Sequence, residues 1–178
     1  APTLQERRDN VNYPKSRRSL SCREMQDQLS EFEDQVLAEA PASTKRHVAK
    51  ARQYLVFAEY ARHFCFDQSD HEEVVQAAIP HLQRALKDDP ENVYVHFLLG
   101  IVKFESHQVD SARYYFDFCY ARKRDWDAKF HFYYGRVMHQ ADNFAEALRH
   151  YNWCRAKSMP YANLDIELKR RVAQCEHG

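Results

Sequence analysis

Ten histidines and five cysteines are the residues of this 178-residue chain whose chemistry suits a metal site or a nucleophile. Their densest grouping is His63-Phe64-Cys65, with His71 close behind. Structural zinc takes about four close ligands from short-spaced patterns, and the five cysteines include no CxxC pair. A Cys65 nucleophile would need His63 as its base. Two positions apart on a helix, those side chains leave on different faces, and no third group orients them. The three glycines are scattered, so no glycine-rich loop can cradle a phosphate. The residues therefore predict a non-catalytic protein with no metal and no cofactor. What is left is recognition chemistry, because aromatic residues make up 13% of the chain and are interleaved with Arg and Lys.

The elements that must position those residues are clearest from Val93 to Tyr120, VYVHFLLGIVKFESHQVDSARYYFDFCY. This stretch predicts two short helices folded back on each other. Gly100 lets the second helix approach the first, Ala112 is the small residue facing back, and Phe116 fills the space between them. The pattern recurs. Gly100 to Gly135, Ala112 to Ala147, Phe116 to Tyr151 and Cys119 to Cys154 each step 35 residues. Backwards, Ala78, Leu82 and Ala85 lie 34 residues before Ala112, Phe116 and Cys119. Cys119 and Cys154 occupy the small-residue position held by Ala85, so they read as small buried apolar groups.

The L-G followed by A-x3-F at this period resembles the tetratricopeptide repeat (TPR). Three tandem repeats are predicted over roughly Lys45 to Pro160. The first helix of the first, Phe57-x-x-Tyr60-Ala61-x-x-Phe64, fits only if the following loop is five residues longer. The resemblance implies an all-α, right-handed α-solenoid of three helix pairs, with a leading N-terminal helix and a C-terminal capping helix. The predicted divisions are an extended basic arm over 1–19, then a leading helix over 20–40. Repeats follow over 43–90, 91–125 and 126–160, and a cap over 163–176. Asp70-x-x-Glu73 and Asn143-x-x-Glu146 have the form of capping boxes, and Pro41 and Pro160 act as stops. Pro80 falls inside a predicted helix, where it predicts a kink or a tight first turn.

A solenoid of this kind offers a concave face lined by the first helix of each pair. With Gly100 and Gly135 in register, the groove-facing residues are Tyr94, Phe97, Ile101 and Phe104 in the second repeat. Those in the third are Lys129, Phe132, Arg136 and His139, and the shifted first repeat adds Leu55, Ala58, Arg62 and Cys65. An aromatic floor ringed by Arg62, Lys129 and Arg136 suits an extended peptide or a helix with an acidic group. The other arrangement open to these aromatics is packing against the leading helix or the cap. TPR domains that clamp the C-terminal carboxylate of cytosolic chaperones need Lys and Asn at two positions of the first repeat and Asn in the second. Ala58, Arg62 and Leu98 stand there instead, which argues against that use.

Lys+Arg and Asp+Glu balance at 26 each, so no global field points to nucleic acid or an anionic membrane. No apolar run has the length of a membrane span, and no signal peptide is in view. The odd cysteine count argues against a disulfide framework and leaves the redox compartment open. The arm carries Arg7, Arg8, Lys15, Arg17 and Arg18 and reads as a solvated leader or an electrostatic contact. In the leading helix Leu20, Met25, Leu29, Phe32, Val36 and Leu37 recur at helical spacing. The cap sets Leu164, Ile166, Leu168, Val172 and Cys175 against Lys169, Arg170 and Arg171, apolar inside and charged outside.

The close KRRVAQCEHG and the line FHFYYGRVMHQADNFAEALRHY resemble the TPR regions of Bacteroidetes OmpA-family envelope proteins of the type IX secretion and gliding machinery (PorE-like). That resemblance covers about Val93 to Gly178. Met138 and Gln140-Ala141 depart from its pattern, and the N-terminal half matches only generic repeats. It implies a protein–protein interaction module in the periplasm, associated with the outer membrane, with secretion-system components as partners. A domain cut from a longer chain is implied too, in keeping with the start at Ala1 and the end at Gly178. The alternative is a stand-alone cytosolic adaptor that binds a peptide in the same groove.

Overall fold

The structure, a computed structural model, describes residues 31–63, 68–156 and 162–177. The basic arm, the first part of the leading helix with Cys22, the connection holding Cys65, and Pro160 lie outside the described residues. Among those described, every regular element is helical. They are α1 (31–36), α2 (Ala42–His63), α3 (Gln68–Asp88), α4 (Val93–Glu105), α5 (Val109–Arg122), α6 (Ala128–Gln140), α7 (Phe144–Ala156) and α8 (Ala162–His177). α2 packs on α3, α4 on α5 and α6 on α7, each pair rests on the next, and α8 closes the stack against α7. The fold is an α-solenoid of helix pairs, as the repeat spacing predicts.

Register explains the pairing. Ala78, Leu82 and Ala85, then Ala112, Phe116 and Cys119, then Ala147, Tyr151 and Cys154 are all 0% exposed. The glycine opposite each aromatic ring is required. A Cβ on Gly100 would stand 2.6 Å from Phe116 Cε1, and one on Gly135 would stand 2.6 Å from both Tyr151 Cδ1 and Cε1. Those rings occupy the volume that any side chain would need. Burying a ring of this kind contributes about 1.5–3 kcal/mol, and only the bare glycine backbone lets it happen this close to the helix axis.

The helix ends follow local chemistry. Asn92 and Asp127 cap α4 and α6, accepting from the backbone N–H of Val95 and of Phe130, each at 3.0 Å. Asn143 accepts from Glu146 N at 3.4 Å, one half of the predicted capping box. α4 and α6 end in the same way. Gln108 N donates to Lys103 O and Asn143 N to Met138 O, both at 2.9 Å, around His107 (φ 62°) and Asp142 (φ 57°). These are Schellman ends, 35 residues apart, with a non-glycine residue in the left-handed region.

Two boundaries differ from expectation. α1 stops at residue 36 rather than 40, because Ala40 precedes Pro41 and is pushed out of the helical region; Ala40 N instead closes a turn on Leu37 O at 2.9 Å. α3 begins at Gln68, two residues before the Asp70 predicted to cap it, since Gln68 and Ser69 carry nothing that breaks a helix. α3 also runs continuously through Pro80, giving up the one bond that a Pro80 N–H would donate to Gln76 O.

Candidate functional site

The first helices α2, α4 and α6 send polar groups toward one buried carboxylate. Glu33 of α1 is 3% exposed. Arg52 Nη1 of α2 donates to Glu33 Oε2 at 2.6 Å, and Tyr94 Oη of α4 donates to Oε1 at 2.9 Å. Lys129 of α6 adds its positive field. Burial raises the Glu33 pKa, against the opposing pull of Arg52, Tyr94 and Lys129. Burial, and then the negative charge of Glu33, holds the Tyr94 phenol well above its ordinary range, so it stays a donor. Phe32 meets the Tyr94 ring edge-on at 5.9 Å. The leading segment thus brings an aromatic side chain and a carboxylate onto residues of three successive first helices.

The predicted groove residues divide into separate neighbourhoods. Tyr94 and Lys129 share the Glu33 site. Phe97 is 3% exposed and sits among Phe116, Trp126 and Phe130, at 6.2, 5.4 and 5.7 Å between centroids. Arg136 is buried, with its guanidinium 4.5 Å above Phe104 and 5.4 Å from Phe132, and Nη1 3.9 Å from Glu105 Oε1. Phe104 and Phe132 are themselves buried. His139 is half-buried and faces the second helix of its own pair, with Nδ1 3.2 Å from Tyr151 Oη and its ring against Phe144. Burial and the nearby Arg171 lower its pKa. The Arg62 backbone belongs to α2, and its side chain lies outside the described residues.

Sequence reasoning passed over Phe32, Glu33 and Arg52 as site residues. A signal was there. Glu33 lies on the apolar stripe of the leading helix, four residues after Leu29 and four before Leu37, and Arg52 stands likewise between Val48 and Leu55. A charge in mid-stripe predicts a buried pair, because a lone buried charge is costly.

Other reactive groups are quiet. Burial pushes the Cys119 thiol up to about 12, and it donates to Val93 O at 3.3 Å. No group of three or more His, Cys, Asp or Glu among the described residues is placed to hold a metal ion, and no described helix is long and apolar enough to cross a membrane. His131 and His150 lie Nδ1 to Nδ1 at 3.1 Å in the core of the third pair. Burial, then the charges of His131 and Arg149, pushes His150 down to about 3.

A solved structure of the same architecture is that of a thermophilic TPR protein from Thermus thermophilus. It superposes with a TM-score of 0.55 at 16% identity, over 87% of this chain and 75% of that one. At that identity the likeness is one of fold. No protein-family model and no curated protein matches the sequence.

Proposed function

We propose that the chain is a non-catalytic protein–protein interaction module whose concave face takes a helical segment bearing an aromatic residue and a carboxylate. The observation that carries this is the seating of Phe32 and Glu33 on Arg52, Tyr94 and the field of Lys129. The leading segment occupies in cis the place that a partner takes in trans. A buried ion pair contributes little net stability against an apolar replacement, so retaining one here suits recognition better than packing.

The test uses a labelled peptide of residues 20–40 with three versions of the 178-residue chain. The Glu33→Lys chain, which expels its own segment, binds the peptide; the wild-type chain does not; and adding Lys129→Glu abolishes binding to the first. Equal binding to the Glu33→Lys and wild-type chains, or to neither, refutes the reading.

The finer assignment, to a periplasmic, outer-membrane-associated component of type IX secretion, is supported by the likeness of residues 93–178 to the envelope TPR proteins. It is tested by immunoblotting fractionated source cells. A species in the envelope much larger than 21.2 kDa supports it. A species of about that mass in the cytosol overturns it and leaves a peptide-binding adaptor.

A further inference from the structure

A second surface lies at the junction of the second and third pairs, independent of the Glu33 site. The end of α5 and the connection to α6 carry Arg122, Lys123 and Arg124 in succession, all exposed. Beside it opens a cleft of about 290 Å³, lined by Tyr120, Arg124, Asp125, Trp126, His131 and Trp153. Its floor is rigid. Trp126 stacks on Phe130 at 4.4 Å, and its Nε1 donates to Lys123 O at 2.5 Å. His131 packs 5.1 Å from Trp153, a residue that is 36% exposed.

The basic groups at the rim are not equivalent. Arg122 pairs with Glu91 at 3.7 Å, and Arg149, over Trp153, pairs with Glu146 at 3.5 Å. Arg124 and Lys123 instead lie over the rings of Tyr120 and Trp126, at 4.1 and 4.7 Å. Among the described residues neither makes an ion pair. Trp153, Tyr120 and Arg124 are exposed or half-exposed at this cleft, above a buried Trp126, and Trp, Tyr and Arg form the composition that dominates binding energy at protein interfaces.

We propose that this cleft docks an acidic segment of a partner protein, one aromatic side chain packing on Trp153 at the cleft mouth and flanking carboxylates pairing with Lys123 and Arg124. The ring walls favour an aromatic guest through edge and offset-stacked contacts. A cationic guest is disfavoured, because Arg124 already covers the face of Tyr120. Nucleic acid would require a longer basic tract, since its affinity comes from neutralising several phosphates, and the chain as a whole carries no net charge.

The chain has two tryptophans, and both line the cleft, so selectively excited tryptophan emission reads this site. The probes are acetylated hexapeptides with Asp and Glu around a central Phe, Tyr or Ala, the same peptides with Asn and Gln flanks, and a dT oligonucleotide. The Phe and Tyr peptides give a saturable emission change on the full chain. Binding weakens at least ~10-fold with Ala at the centre, with neutral flanks, or in the Arg124→Glu or Lys123→Glu chain, and it weakens with added salt. Tyr94→Phe leaves it unchanged, which separates this cleft from the concave-face reading. The proposal is overturned if no acidic peptide saturates by about 1 mM, where binding is worth only about 4 kcal/mol. It is also overturned if both charge reversals bind as the wild type does, or if the oligonucleotide saturates the signal in place of the peptides.

Discussion

Acidification should loosen the third helix pair through His150. In the native state its imidazole is 1% exposed and held neutral, with its pKa pushed down to about 3, whereas the unfolded chain takes up the proton near 6.5. Above 6.5 both states are neutral there and the group contributes no pH dependence. Between 6.5 and 3 the unfolded state binds the extra proton, so stability falls as pH falls. Below about 3 both states are protonated and the loss stops growing. Each pH unit inside that window costs about 1.4 kcal/mol, and so about 2.7 kcal/mol between pH 6.5 and about pH 4.5. That is a large share of the roughly 5–15 kcal/mol that holds a domain folded. His81 and His139, whose pKa values are also lowered, add in the same direction, while the raised pKa of Glu33 opposes them. The His150→Gln chain isolates the term. Urea unfolding followed by circular dichroism, for both chains at pH 7.5, 6.5, 5.5 and 4.5, should show their stability difference moving by about 1.4 kcal/mol per unit below 6.5. A difference that stays flat refutes the reasoning, as does a His150 ring whose NMR titration in the native chain has its midpoint near 6.

Gly100→Ala and Gly135→Ala should each destabilise the fold by roughly 1–3 kcal/mol, against the helix propensity of Ala, because the new methyl meets Phe116 or Tyr151. Pairing Gly100→Ala with Phe116→Leu should recover part of the loss in thermal melts, and no recovery would mean that the ring is not the obstacle. His107→Gly and Asp142→Gly should each stabilise by about 0.5–1 kcal/mol, since both positions hold positive φ, and a lower melting temperature would exclude strain there. Arg52→Met should cost roughly 3 kcal/mol by stranding the Glu33 carboxylate. The loss should grow as pH rises through the Glu33 titration, and a double-mutant cycle with Glu33→Gln should show strong coupling; additive effects would mean that the 2.6 Å pair is energetically idle.

The fold was legible where packing leaves one choice of residue. Gly100 and Gly135 admit no side chain, and Ala112 and Ala147 admit nothing larger, so the 35-residue step survives in the letters. Asn143 was legible as a helix start for a similar reason, since few side chains can accept from a free N–H. The left-handed ends at His107 and Asp142 were not, because neither is glycine and the backbone there is fixed by carbonyls that any residue could present. The site was harder. Periodicity says which face of α6 bears Arg136 but not that Glu105 and Phe104 of α4 already cover it. Tyr94 was found because it is a large ring on the right face. Its partner Glu33 was missed because it comes 61 residues earlier, on an element with no repeat to set its register.

The rings around Phe130 also tie two helix pairs into one unit of failure. Phe97 and Phe116 from the second pair, Trp126 from the connection, and Tyr120 and Tyr134 all lie within 6.2 Å of it, centre to centre. That weld is built from side chains of both the second and the third pair, while the first pair meets the second along the α3–α4 seam and at the Glu33 pairings. In a linear stack, neighbours that share packed side chains open together. Amide protons in the middle of α4 and α6 should therefore exchange together, because opening either helix uncovers rings that the other buries.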